Sequence, residues 1–472
     1  GVTVPAFSTV SFKLVKGEAN ADSSVKLTDK GVSTPFAEIE FDGKGYISSF
    51  YDKRMKRQLR GDGYAFNTLL VAEDVPTAWD NWDVDADLEC KFADHSELLS
   101  REVVSAGAAA VVIRSKYSVS KKSTVTQDAF YFADTAEVRF DTLMDWQDDH
   151  RFMKAAFDTS LHSDYARFEI QYGNVLRPTT RNNTIEKAKF EVVNHKYTDL
   201  SETRCGAAVL NDGKYAISVE GGNMRLSLHK GGTRPDYVGD HGLHRTVYSF
   251  LPHVGGFGAN EVIKPAYELN VPAVVGKGGF SSSALVLPKA DNVIVEVIKP
   301  CEDNEKAFIA RLYEAEGTYT VCPVEFFGGA KKVEITNMLE EVKDEFSGNE
   351  LTFKPFEIKT LKVTYGGENM RTFVKELTNP GVTLTAYLPA ASDEMPNYKT
   401  RPAILVIPGG AYMMCSDREA EPIALSFLAK GYAAFVLRYS VGKGAAKFPR
   451  PLNDAEEAME LIISNAAEWG VE

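Results

Sequence analysis

The strongest constraint on what this chain can fold into is a period of two. In "AEVRFDTLMDW", residues 136–146, Val138, Phe140, Met144 and Trp146 alternate with Arg139, Asp141 and Asp145. A strand turns successive side chains to opposite faces, so this pattern specifies a half-buried β-strand and no helix. The period returns in "NVIVEVIKP". "AFIARLYEAEGTYTVCPVEF" is expected to be a hairpin with Glu316-Gly317 in its turn. Turns such as "FDGKG", "LNDGKY" and "VEGGN" separate the apolar runs. No repeat of solenoid or propeller length is visible, which leaves antiparallel sandwiches for the first 365 or so residues. "VGKGGFSSS" (275–283) and "TYGGENM" (364–370) are the expected linkers.

Beyond them the pattern changes. "GVTLTAYLP" is a strand, and "RPAILVIPG" and "YAAFVLRYS" are apolar on both faces, as buried parallel strands are. Ser416-Asp417-Arg418-Glu419 has the form of a capping box. It would open a helix that presents Ile423, Phe427 and Leu428 and ends at Gly431. Asn453 or Asp454 is expected to cap a second helix, with Ala455, Ala458, Met459, Ile462 and Ala466 inward. Strand, helix, strand, helix predicts a parallel α/β sheet. Its first buried strand runs into Pro408-Gly409-Gly410-Ala411, a tight turn of the kind that aims backbone N–H groups at a developing oxyanion. Gly409, Gly410 and Ala411 are therefore candidate oxyanion-loop residues.

Composition narrows the partners. The 472 residues carry a net charge of −13, which argues against nucleic acid and supplies no basic patch for anionic lipid. No apolar run is long enough to span a membrane. Cys90, Cys205, Cys301, Cys322 and Cys415 are scattered and odd in number. They suggest neither a disulfide framework nor a CxxC metal site, and a reducing, cytoplasmic location is the expectation.

Two resemblances cover nearly the whole chain. From about Phe36 to Val363 it resembles the C-terminal β region of the family 38 glycoside hydrolases, the α-mannosidases. The resemblance lies in "GYISSFYDKR" (45–54), "AWDNWDVD" (78–85), "RFDTLMDWQDDHRFMKAAF" (139–157), "FEIQYGNVLRPTTRN" (168–182), "PDYVGDHGLHRTVYSFLPHVG" (235–255) and "KPFEIKTLKV" (354–363). From about Gly381 to Glu472 it resembles the first half of an α/β-hydrolase of the acetyl-esterase and lipase type, through "ILVIPGGAYMM", "GYAAFVLRYS" and "FPRPLNDAEEAMELI". These resemblances imply a mainly β chain. A galactose-mutarotase-like supersandwich would span residues 1–275 and a small β-sandwich 276–366, with a partial α/β-hydrolase domain over 367–472. The mannosidase family holds zinc with His and Asp and uses an Asp nucleophile in a preceding domain, so no catalytic or zinc residue carries over to this chain. The esterase family places its Ser in GxSxG, and "GGFSSSA" (278–284) fails that spacing. The expectation is a non-catalytic piece of a fusion, cut inside both enzymes.

The remaining candidates have two readings each. Trp79 and Trp82 flank Asp80 and Asn81, as a sugar platform would, but buried inter-sheet anchors are the favoured reading. Asp141, Asp145, Asp148 and Asp149 are either an acid/base pair or a solvated strand face. Asp240, His241 and His244 are either metal ligands or a structural turn. The two polar loops are expected to face the preceding catalytic domain, with Arg177, Arg181, Arg234 and His244, together with Trp79 and Trp82, near the rim of a carbohydrate cleft. The whole protein would bind a mannoside-containing glycan. The alternatives are a free-standing carbohydrate-binding module and a scaffold that forms a homo-oligomer through an exposed sheet edge.

Overall fold

In the computed structural model the described residues are 4, 6–13, 24–277, 284–326, 330–365, 370–389, 400–428 and 431–472. Parts of both expected linkers, 278–283 and 366–369, lie outside them. Among the described residues no helix is long and apolar enough to cross a membrane.

The alternating segment forms strand Val138–Trp146, with Val138, Phe140, Met144 and Trp146 buried. It lies in a nine-stranded antiparallel sheet that runs from the edge strand Gly173–Pro178 to the opposite edge Glu97–Ala106. A six-stranded sheet with Arg151–Asp158 and Asn223–Lys230 near its middle supplies the other layer, and a five-stranded sheet closes the N-terminal side. One core joins all three, from Phe50 and Phe66 through Phe140 and Phe157 to Leu226 and Phe250. Each buried aromatic contributes roughly 1.5–3 kcal/mol. Inside this core a ring of polar groups is fully paired. Gln127 Nε2 donates to Thr142 Oγ1 and Tyr248 OH at 2.8 Å, the Tyr248 hydroxyl donates to Asn67 Oδ1 at 2.7 Å, and Asn67 Nδ2 donates to Gln127 Oε1 at 2.5 Å.

The small sandwich stacks a five-stranded sheet on a three-stranded one over Phe308, Leu312, Cys322, Phe353 and Leu361. The expected hairpin does not form. Ala307–Glu314 belongs to the five-stranded sheet and Thr320–Phe326 to the three-stranded sheet, so the turn at Gly317 (φ +84°) carries the chain from one layer to the other. The helical segment Ala259–Asn270 fills the seam between the sandwiches. Val262, Ile263 and Ala266 pack on Tyr197, Leu210 and Leu251 of the large one and on Tyr313 of the small one. The Phe356 ring leaves no room for a side chain at Gly173 or at Gly317, where a Cβ would lie 2.9 Å and 2.7 Å from it.

The C-terminal sheet is mixed rather than parallel. Met370–Glu376, Thr383–Pro389 and Ala433–Arg438 pair antiparallel in that order, and only Ala403–Val406 joins Ala433–Arg438 in parallel. Ala403–Val406 is an edge strand, continued beyond its start by a parallel bridge from Arg401 to Val471. Phe435 and Leu437, which would lie bare in a half-covered sheet, are completely buried. Ala458, Ile462 and Trp469 of the C-terminal helices cover them. Val406 is buried on the other face against Ala420 and Ala424. The expected capping box is not made. Ser416 gives no side-chain cap to the short turn Asp417–Glu419, and Ala424 is the one buried residue of the helix Glu421–Leu428. The next helix starts at Arg450, so Asp454 lies inside it. Its carboxylate accepts from Ser440 N at 2.7 Å and Asn379 Nδ2 at 2.5 Å.

Candidate functional site

Two loops meet at the Arg151 end of the six-stranded sheet. One joins strand Thr68–Glu73 to the 3-10 turn Ala86–Lys91 and carries Trp79 to Trp82. The other joins Asn223–Lys230 to Gly242–Val254. Asp80, which is buried, ties them together by accepting from Arg234 N at 2.6 Å, Thr233 N at 2.9 Å and Thr233 Oγ1 at 3.1 Å. Burial alone would raise its pKa, but these hydrogen bonds prevail and hold it below the usual carboxylate value. His150 Nδ1 lies 3.2 Å from the same carboxylate. Asn81 N donates to Arg234 O, and Asn81 Oδ1 accepts from Asp236 N. Gly232 is required here, since a Cβ would stand 2.8 Å from the Asn81 amide nitrogens.

With Asp80 buried as the anchor, both tryptophans face outward. Trp82 is 71% and Trp79 54% exposed, and their rings lie 5.8 Å apart. The inter-sheet anchor reading is thereby overturned. Trp79 also holds a left-handed backbone (φ +54°), which costs a bulky residue of order 1–3 kcal/mol. Beneath Trp82 opens a cleft of about 210 Å³ lined by Asn81, Trp82, Lys230, Gly232, Pro235, Asp236 and Asp240. Of its lining, sequence reasoning singled out Trp82 with its neighbour Asn81, and Asp240 only as a metal candidate. The glycine-rich run 231–239 between two strands was the available signal for the rest.

The structure does not build a metal site from Asp240, His241 and His244. Asp240 offers its carbonyl, not its carboxylate, to His244 Nε2 at 2.7 Å and His229 Nε2 at 3.0 Å, while His241 pairs with Asp149 at 2.9 Å. Burial, then the neighbouring His244 and Lys214, push the pKa of His229 down to about 4. Among the described residues one other trio brings potential ligand atoms together, Cys301, Asp303 and Glu340. Its carboxylates already carry Lys362 at 2.7 Å and Lys299 at 2.5 Å. The strand acids are a solvated face: Asp141 pairs with Arg245, Asp145 accepts from Gln147, and Asp148 accepts from Ser120 and Ser123.

The two loops that carry the four rim residues are anchored at opposite ends of strand Arg151–Asp158. Thr179 O receives Gly221 N and Thr159 N reaches Gly222 O, at the Asp158 end of strand Arg151–Asp158. Gly231 bonds to His150 and Arg151 at the opposite end. Arg177 lies on Phe168 and donates to Val193 O, and Arg181 reaches Glu89 at 3.1 Å, whereas Arg234 and His244 sit on or beside the glycine-rich loop. A resemblance in sequence order said nothing about which sheet end each loop would reach.

In the C-terminal unit the turn after Ala403–Val406 is tight. Gly410 has φ +147°, Ala411 and Tyr412 are left-handed, and Met413 N returns to Gly410 O at 2.9 Å. Glu419 Oε2 accepts the Gly409 N–H at 2.9 Å, which is why Glu419 is drawn away from a capping role. The N–H groups of Gly410 and Ala411 donate to no group among the described residues. Of the three candidate residues, these two offer free donors.

The chain thus has a large β-sandwich, a smaller one and a mixed sheet whose edge strand ends in a tight glycine turn. Comparison with known proteins gives the families of these parts. The description "Glycosyl hydrolases family 38 C-terminal domain" matches residues 32–238, "Glycosyl hydrolases family 38 C-terminal beta sandwich domain" matches 292–361, and "BD-FAE" matches 386–472. Alpha-mannosidase G of Dictyostelium discoideum is 32% identical over 360 residues, covering 70% of this chain and 32% of that protein. Human alpha-mannosidase 2C1 is 30% identical over 355 residues, covering 72% and 34%. An alpha-mannosidase from Enterococcus faecalis V583 shares the fold with a TM-score of 0.59 at 13% identity, over 74% of this chain and 43% of its own. The chain thus carries the C-terminal domain and β-sandwich of glycoside hydrolase family 38, followed by an esterase-like α/β-hydrolase region. It spans about a third of the length of these curated relatives.

Proposed function

We propose that this chain is the non-catalytic β region of an α-mannosidase, joined to an esterase part, and that the whole protein acts in the cytoplasm on mannoside-containing glycans that carry ester groups. One observation supports this above others: the family 38 regions at 32–238 and 292–361 are followed in the same chain by the esterase-like region at 386–472. In such a protein the free N–H groups of Gly410 and Ala411 would stabilise the oxyanion of ester cleavage, a contribution of about 3–4 kcal/mol per donor in well-formed holes. The five free cysteines fit a reducing compartment. The test is an assay of the purified 472-residue chain on an aryl α-mannoside with added zinc and on an aryl acetate. Neither is expected to turn over, and zinc-dependent release from the mannoside would refute the non-catalytic assignment.

A second reading, a carbohydrate-binding β-sandwich, is favoured by the outward Trp79 and Trp82 rings, since exposed aromatic faces suit the apolar faces of sugars. Binding of the chain to mannose-containing glycans on an array tests it.

A further inference from the structure

We infer that the cleft under Trp82 is a binding site for one neutral pyranose ring, with the indole as its platform and Asn81, Asp236 and Asp240 as its hydroxyl partners. The inference rests on the carbohydrate-binding reading above and deepens it.

Size comes first. At about 210 Å³ the cleft falls below the roughly 300–1,000 Å³ of pockets for drug-sized ligands and suits a single ring. Chemistry comes next. The Asn81 Oδ1 is occupied by Asp236 N, which leaves its Nδ2 as a donor with no partner among the described residues. Asp236 Oδ1 accepts from Val238 N at 3.0 Å, so Oδ2 remains an acceptor. Asp240 is held through its backbone carbonyl by His229 and His244, and its carboxylate makes no hydrogen bond among the described residues. One amide donor and two carboxylate acceptors beside an aromatic face match vicinal hydroxyls on a ring whose C–H face lies on the indole.

Charge selects against anions. Lys230, the cation of the lining, is engaged by Asp74 at 3.0 Å and by Asp83 O at 2.6 Å, whereas Asp236 and Asp240 are exposed carboxylates. A phosphorylated or acidic sugar would meet net negative charge, and a neutral one would not. Both walls are also fixed in advance. Asp80 ties one loop to the other, and the two histidines fix Asp240, so little ordering remains when the ligand binds.

The probe is methyl α-mannopyranoside, followed by saturation-transfer NMR and Trp fluorescence on the full chain. A dissociation constant of about millimolar order is expected. Trp82→Ala should weaken binding by roughly tenfold, and Asp236→Asn by a smaller factor, with unchanged melting temperatures because both side chains are exposed. Mannose 6-phosphate should bind more weakly than the neutral glycoside. Mannoside binding that survives both substitutions would put the sugar elsewhere and overturn the cleft while leaving the carbohydrate reading intact. No mannoside binding by the unsubstituted chain would also overturn it, and the glycan array then decides the broader reading on its own.

Discussion

Acid should loosen the large sandwich through one histidine. His229, near the end of the interior strand Asn223–Lys230, is buried 5.0 Å from the Trp146 ring and 4.3 Å from His244. Its pKa is pushed from 6.5 down to about 4, chiefly by burial. A histidine that stays neutral in the fold contributes stability that is complete above its unfolded pKa and drains away as pH falls from about 6.5 to about 4. At 1.36 kcal/mol per pKa unit, taking the chain from pH 7 to pH 5 should remove about 2 kcal/mol through this residue. The remedy is His229→Phe, which keeps a ring against Trp146 and leaves the Asp240 carbonyl its bond from His244. Urea unfolding followed by Trp fluorescence at both pH values gives the measurement, read as the difference between parent and variant so that other acids cancel. The variant should lose less stability by that amount. Equal losses in both proteins, or a His229 Cε1 proton that titrates above pH 6 by NMR, would refute the reasoning.

Tyr248→Phe should cost about 1–3 kcal/mol in thermal unfolding, because it leaves Asn67 Oδ1 and one Gln127 Nε2 proton unpaired inside the core; a loss under 0.5 kcal/mol would mean the ring of polar groups is not closed. Gly410→Ala should destabilise the C-terminal unit by about 1–3 kcal/mol, since its Cβ would fall 2.0 Å from Met414 O at φ +147°; an unchanged melting profile counts against the turn described. Amides of 403–406 should exchange faster than those of 138–146, since Ala403–Val406 is paired on one side only. Light scattering should detect association through that edge, and a strict monomer with equal protection at both segments would remove the case for an exposed edge.

What the sequence disclosed was set by how directly each residue's environment follows from its neighbours. Val138, Phe140, Met144 and Trp146 could be placed because in a two-layer sandwich every second residue meets the same core. The same periodicity does not say which sheet a strand joins, so Ala307–Glu314 and Thr320–Phe326 looked like a hairpin although they lie in different layers. Strand direction was legible for the two doubly apolar runs, Ala403–Val406 and Ala433–Arg438, which pair in parallel as expected, but not for Met370–Glu376 and Thr383–Pro389, which join them antiparallel. The outward turn of Trp79 and Trp82 was hidden because their burial is decided by Asp80, whose partners at 233 and 234 are more than 150 residues away. Ser416 to Glu419 has the right spacing for a cap, but Glu419 finds a better partner in the Gly409 N–H. The tight turn after Ala403–Val406 was legible because consecutive glycines accept backbone conformations, such as the φ of +147° at Gly410, that other residues avoid.

The Phe356 ring, seated over Gly173 of one sandwich and Gly317 of the other, acts as a peg. It is joined there by the Asn174 Nδ2 bond to Ala315 O at 2.9 Å and by Tyr172 edge-on to Tyr313. Two bodies pegged in this way cannot swivel on the segment that links them, and neither can melt without stripping the seam of Leu210, Leu251 and Val262 from the other. They form a single cooperative block. A displacement that reaches the small sandwich is therefore passed on to the strands of the large one.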